Sequence, residues 1–159
     1  MLFVGAPNNR VVADMTLTKL EAALHQLDVA MSLFLKGDYL SSLTLAGAAE
    51  EILGQLCLRE GKPNAVEFIT EYHLPDTDPA LPDKQRRKIL RDVMNGPRNE
   101  AKHANDPEEV DVIVDQDYPL QMIMRALPMA RSLGSSMPQQ EAMISWINEN
   151  IMGSSEDGQ

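Results

Sequence analysis

Three side chains near the middle of the chain combine residue types that can handle a phosphate group. Arg98 and Asn99 are followed by His103, so that four residues separate the arginine from the histidine. Histidine, with an unperturbed pKa of about 6.5, can donate or accept a proton near neutral pH. Arginine stays protonated and grips phosphate through two N–H groups. In a helix Asn99 and His103 share a face, and the long side chain of Arg98 can reach the same pocket, so the spacing predicts an anion-binding site.

These residues lie at the end of a basic segment in an acidic protein. The formal net charge is −10, yet seven of the 14 lysines and arginines fall between residues 84 and 102. Lys88, Arg91 and Lys102 are therefore candidate substrate-binding residues. The alternative is an ordinary solvated helix face, which is the more common role of such a charge run. No aromatic residue is interleaved with the segment to stack on bases, which counts against single-strand binding.

Two adjacent carboxylates, Glu50 and Glu51, are the expected partners of this motif. They are the only formal charges between residues 38 and 59, in a run that is apolar nearly all round. Such a helix is buried from several sides and is predicted to be the central one. A buried carboxylate must be paired or protonated, and Arg98 or His103 is its natural partner. Small residues in the same helix predict the close approach of another helix or subunit, namely Ala46, Gly47, Ala48, Ala49 and Gly54.

Periodicity and capping signals predict a single all-α domain, a bundle of five or six helices over residues 16–152. Thr18-x-x-Glu21 is a capping box that opens the first helix. Gly and Pro signals then delimit the other elements. The predicted helices cover about 18–36, 39–60, 64–73, 83–94, 119–133 and 138–152, with a short further turn at 97–103. Residues 1–15 are expected to form a flexible N-terminal arm and residues 153–159 a flexible tail.

The predicted course of the chain around the motif depends on Asn95-Gly96 and Pro97. Asn95-Gly96 predicts the end of the basic helix, and Pro97 favours the first position of a new one because its fixed φ and missing N–H suit that position. Arg98 and Asn99 would then lie in a first turn, where backbone N–H groups point at an anion. Four residues of the basic helix are expected to face inward, namely Ile89, Leu90, Val93 and Met94.

The composition narrows the class of protein. At 159 residues, with 43% apolar and 4% aromatic residues, the chain matches one helical domain rather than a strand-rich one. The single Cys57 has no intrachain disulfide partner, so an oxidising compartment is not indicated. Neither a signal peptide nor a membrane-spanning run is recognisable. We therefore expect a cytoplasmic protein without membrane association. A metal site of His73, Asp76 and Asp78 matches no ligand spacing, and we expect neither metal nor cofactor.

The motif and the central helix together resemble the HEPN superfamily. The resemblance rests on Arg98-Asn99 with His103 at the predicted start of a helix in an all-α context, and on the segment of small residues that leads to Glu50 and Glu51. It covers roughly residues 17–133. It implies a bundle of four or five helices that dimerises, so that two copies of the motif face each other across a cleft. Many such proteins are metal-independent endoribonucleases, often toxins paired with a nucleotidyltransferase antitoxin, and others are inactive modules. The alternative function is therefore a non-enzymatic helical module that binds a partner protein or a nucleotide-like ligand in the same cleft.

The chemistry implied by this resemblance is cleavage of RNA through its own 2′-hydroxyl. Such cleavage requires a base, an acid for the leaving oxygen and positive charge at the phosphorane. In a dimer, His103 of one copy is expected to act as base and that of the other as acid, with Arg98 in the electrostatic role and Asn99 orienting His103 or the phosphate. The alternative is an ion-pair network that ties the dimer together through Glu50 or Glu51 without chemistry.

Overall fold

The computed structural model describes residues 14–153, and these residues form helices and no strand. The all-α prediction is confirmed. Of the predicted arm and tail, only Asp14, Met15 and Gly153 fall within the described residues. The six α-helices are α1 (Lys19–Leu35), α2 (Tyr39–Arg59), α3 (Ala65–His73), α4 (Asp83–Lys102), α5 (Asp117–Ser132) and α6 (Gln140–Ile147). A 3₁₀ turn, Leu74–Asp76, follows α3, and a π-helical turn, Asn148–Met152, follows α6.

The first two helices begin and end where local signals place them. Thr18 and Glu21 form the predicted capping box, in which each side chain accepts a hydrogen bond from the backbone of the other residue. Asp38 caps α2 by accepting from the backbone N–H of Ser41. Gly37 separates the two helices at a φ of +84°, a conformation that glycine adopts without a steric penalty. The loop between α1 and α2 is therefore short, and the two helices pack against each other.

Helix α2 is central, as predicted, because it packs against α1, α4 and α5. The buried face of α2 contributes Leu43, Ala46, Leu53 and Cys57 to a core shared with α1 and α5. The C-terminal helix α6 closes one end of this core. Its Trp146 makes an edge-to-face contact with Phe34 of α1, with ring centroids 4.7 Å apart. None of the helices in the described part of the chain combines the length and apolarity needed to cross a membrane.

Helix α4 corrects the prediction of a break at Asn95-Gly96. It runs without interruption from Asp83 to Lys102 with Pro97 in its interior. The residue before a proline is normally driven out of the helical region, partly by a clash between its Cβ and the proline ring. Gly96 has no Cβ, which removes that part of the clash. Arg98 and Asn99 therefore do not lie in a first helical turn, and the N-terminal N–H groups of their own helix are far away, at Asp83.

The orientation of α4 differs from the prediction at two of four positions. Leu90 and Met94 are half-buried, in line with the predicted inward face. Val93 is 71% exposed and Ile89 is 43% exposed in the single chain. The continuous helix explains the difference, because its orientation is set by Arg98 and Ala101, which pack inward near its C-terminal end.

Candidate functional site

Arg98 is a buried side chain that joins α4 to the central helix. It is 7% exposed, and its Nη1 donates to the backbone carbonyl of Gly47 over 3.4 Å. The aliphatic part of Arg98 lies across Gly47 so closely that a Cβ at that position would come within 2.4 Å of Cδ. The prediction that the small residues of α2 admit a close neighbour is thus confirmed at Gly47, and the neighbour is α4 of the same chain.

Both predicted carboxylates contact the Arg98 guanidinium, but in different environments. Nη1 lies 3.4 Å from Oε2 of Glu50 and 3.7 Å from Oε2 of Glu51. Glu50 is 2% exposed, whereas Glu51 is on the surface. Burial raises the pKa of Glu50, and the Arg125 and Arg98 guanidiniums oppose that rise without cancelling it. The buried member of the pair is therefore Glu50, and its charged form depends on nearby arginines.

A second buried guanidinium, that of Arg125 on α5, belongs to the same cluster. Its Nη2 donates to the backbone carbonyl of Met94 over 3.2 Å, which links α5 to α4. Burial lowers the pKa of Arg125, and Glu50 partly restores it. Two buried guanidiniums thus act electrostatically on one buried carboxylate, and only Arg98 lies at ion-pair distance from it. Sequence reasoning missed Arg125 because its nearest sequence neighbours form an ordinary amphipathic pattern, and only the fold brings it near Glu50.

Arg98 also lines a cavity of about 310 Å³ between α2, α3 and α4. We call it the polar cavity. Four of the predicted site residues line the polar cavity, namely Glu50, Glu51, Arg91 and Arg98. The remaining lining residues are Gly54, Gln55, Leu58, Asn64, Val66, Glu67 and Asn95.

Two buried polar atoms of the polar cavity lack a hydrogen-bond partner within the described residues. They are Oδ1 of Asn95 and Nε of Arg98. Buried polar atoms are nearly always paired in folded proteins, so two in one lining mark a place where further polar contacts are favourable. Asn95 and Asn64 were not predicted as site residues. Asn95 was interpreted as part of a helix stop, which hid its position on the same face as Arg91 and Arg98.

Asn99 and His103 lie on another side of α4. At 3.6 residues per turn, a separation of five positions rotates His103 about 140° away from Arg98, whereas Asn99 and His103 are only about 40° apart. Both are exposed, and both line a cavity of about 340 Å³ at the C-terminal end of α4. We call it the acidic cavity, because Glu100, Asp106 and Glu109 line it as well. Within one chain, Arg98 and His103 therefore face different cavities.

Comparison of this chain with family models, curated proteins and solved structures finds no match. The HEPN resemblance therefore stays a prediction from the sequence, and the helix start that it expected at Pro97 is not present, because Arg98 lies inside α4. Within the described range, no group of three or more His, Cys, Asp and Glu side chains is arranged to hold a metal ion.

The predicted basic substrate-binding residues divide between these surfaces. On the continuous helix, one stripe repeats every three or four positions through residues 84, 88, 91, 95, 98 and 102, and all but Asn95 are basic. Arg91 lines the polar cavity. Lys88 pairs on the surface with Asp92, and Lys102 is exposed. The regular spacing across Gly96-Pro97 is the sequence signal that could have predicted an unbroken helix.

Proposed function

We propose that this chain is a HEPN-like helical module that forms a homodimer and binds a nucleotide-like ligand in the polar cavity. The observation that supports this proposal best is the separation of the motif. Arg98 is held by α2 and lines the polar cavity, while His103 faces the acidic cavity. A site that combined both side chains for chemistry within one chain would need them on one surface.

The lining of the polar cavity favours a small ligand with both anionic and amide-like groups. Its volume of about 310 Å³ is at the lower end of typical ligand sites. Arg91 supplies a guanidinium that can pair with a phosphate in two-pronged geometry. Gln55 and Asn95 offer paired donors and acceptors of the kind found on a base edge. Asn64 offers its amide N–H groups, since its Oδ1 accepts from the backbone N–H of Glu67 as the cap of α3. Glu67 and Glu51 offer acceptors for sugar hydroxyls.

Calorimetric titration of the full chain with AMP, GMP, CMP and UMP tests the binding function. We expect one of these mononucleotides to bind, and Arg91→Ala to weaken it about tenfold through loss of a charge-assisted hydrogen bond. Lys88→Ala is the matched control, because Lys88 is a cation on the same helix that pairs with Asp92 and does not line the polar cavity. Absence of binding by all four mononucleotides, or equal losses in the two variants, would contradict the proposal.

A second candidate is the metal-independent endoribonuclease, favoured by the exposure of Asn99 and His103 on one face. In a homodimer two such faces can meet, and two imidazoles then supply the base and the acid for attack by the 2′-hydroxyl. Among the described residues, the lining of the acidic cavity has three carboxylates and no lysine or arginine, whereas Arg91 and Arg98 offset the carboxylates of the polar cavity. The acidic lining opposes the approach of a phosphate backbone, which is why we rank this function second. As a toxin, such an enzyme would act in the cytoplasm beside a nucleotidyltransferase antitoxin.

Incubation of purified protein with mixed cellular RNA tests this second candidate. An active enzyme yields fragments that end in 2′,3′-cyclic phosphate, and His103→Ala abolishes them. His25→Ala is the control, since His25 is an exposed histidine on α1. If wild type and both variants leave every RNA intact, the ribonuclease candidate is excluded. Sedimentation velocity of the same samples measures whether the chain dimerises, and a monomer at high concentration would argue against both candidates.

A further inference from the structure

A second cavity, separate from the motif, lies between α3 and α5. Its volume is about 400 Å³, and we call it the apolar cavity. Phe68 and Ile69 of α3 form one wall, and Met124 and Pro128 of α5 form another. Pro63, Ala65 and Met129 add further apolar surface, and the polar members of the lining are Asn64, Arg125 and Ser132.

Arg125 is the charged residue in this mostly apolar lining. It is 8% exposed, and no carboxylate within the described residues lies at ion-pair distance from it. The buried carboxylate Glu50 forms its ion pair with Arg98 instead. Nε of Arg125 is buried and has no hydrogen-bond partner in this part of the chain. Nη2 of Arg125 donates to the Met94 carbonyl and contacts Sδ of Met122, and Glu50 acts on the charge from beyond ion-pair distance. A buried cation without a direct ion-pair partner is costly, so an anion that reaches this guanidinium would bind favourably.

We propose that the apolar cavity binds an amphipathic monocarboxylic acid, whose carboxylate pairs with Arg125 and whose hydrocarbon body packs against Phe68, Met124 and Pro128. A bare inorganic anion would be dehydrated against apolar walls without compensation, which disfavours it. A purely apolar ligand would fill the walls and leave the guanidinium unpaired. The combination of one buried cation with an apolar lining thus selects an acid with a hydrocarbon body. This inference does not depend on the function proposed for the polar cavity.

Binding of decanoate and decanol to the full chain, measured by calorimetry, tests the inference. The two probes have hydrocarbon chains of equal length and differ in the charged head group. We expect decanoate to bind about tenfold more tightly than decanol because of the charge-assisted contact with Arg125. Arg125→Met, which keeps a long side chain without the charge, should abolish this preference while decanol binding persists. Equal affinity of the two probes for the wild type, or absence of binding by both, would overturn the proposal.

A pair of surface variants keeps the test decisive if Arg125→Met fails to fold. Phe68 and Tyr72 are both exposed aromatic residues of α3, four positions apart, and only Phe68 lines the apolar cavity. Phe68→Ala should weaken decanoate binding severalfold, whereas Tyr72→Ala should leave it unchanged. Equal effects of the two variants would contradict the assigned site. Acetyl-trileucine carries one carboxylate on a peptide body, and tighter binding of this peptide than of decanoate would overturn the assignment to an acid with a hydrocarbon body.

Discussion

Arg98 and His103 belong to one six-residue stretch at the C-terminal end of α4, yet their surroundings are opposite. Arg98 packs across Gly47 and pairs with Glu50 in the interior. His103 ends α4 in an extended conformation and is exposed beside three carboxylates. This contrast shows that a motif defined by spacing along a helix need not form one site in the folded chain. Five positions correspond to about 140° of rotation, so one half of the motif serves packing and the other faces solvent.

The largest expected effect of breaking this asymmetry is on stability. Arg98→Ala should lower the free energy of unfolding by about 3–5 kcal/mol, because it removes one partner of a buried ion pair and leaves Glu50 behind. His103→Ala should change it by less than about 0.5 kcal/mol, as expected for an exposed residue. Urea denaturation followed by circular dichroism measures both. Similar values for the two variants would show that Arg98 is not the structural half of the motif.

Pro97→Ala tests whether α4 is one helix across the motif. An alanine restores the N–H that can bond to the carbonyl of Val93, and a proline inside a helix costs about 3 kcal/mol. Part of this gain is offset, because alanine gives the unfolded chain more conformational entropy than proline does. This effect lowers the free energy of unfolding by about 0.4–1 kcal/mol. We expect a net stabilisation of about 2 kcal/mol in the same denaturation experiment. Destabilisation would instead indicate that Pro97 begins a helix.

Gly47→Ala tests the contact between Gly47 of α2 and the buried side chain of Arg98. The new Cβ would collide with Arg98, at a cost of about 1–3 kcal/mol, while alanine in a helix recovers about 1 kcal/mol relative to glycine. The net destabilisation should be about 1 kcal/mol. In an Arg98→Ala background the collision disappears, so the same change should become stabilising. A double-mutant cycle by urea denaturation measures this reversal, and additive effects would contradict the contact.

The smallest effect that we expect is a dependence of the free energy of unfolding on pH, caused by the titration of Glu50. Its pKa is raised in the folded protein by burial, so the folded state holds this proton more tightly than the unfolded chain does. The contribution of Glu50 to stability is therefore fully present below the unfolded pKa of about 4.3, and it is lost as pH rises through the folded pKa. Glu50→Gln removes this titration. The stability of the variant relative to wild type should increase with pH across that window, and a constant difference would contradict it.

Much of the fold could be predicted because its signals act over short distances. The caps at Thr18 and Asp38 and the apolar run of α2 indicated the first two helices and the central position of the second. The rule that a buried carboxylate needs a partner predicts that Glu50 or Glu51 pairs with Arg98 or His103, and the structure places both carboxylates within ion-pair distance of Arg98. The involvement of Arg125 could not be predicted, since no local pattern distinguishes it from other helix residues.

Local sequence signals are sufficient to predict that this protein is helical, where α1 and α2 begin, and that a carboxylate of α2 has a basic partner in the motif. Only the tertiary structure decided that α4 continues through Gly96-Pro97, and hence that Arg98 and His103 face different cavities. The local signals and the tertiary contact favour different courses of α4 because they act over different distances along the chain. Capping and proline effects act within a few residues, whereas the contact that anchors α4 joins Arg98 to Gly47, 51 positions earlier in the chain.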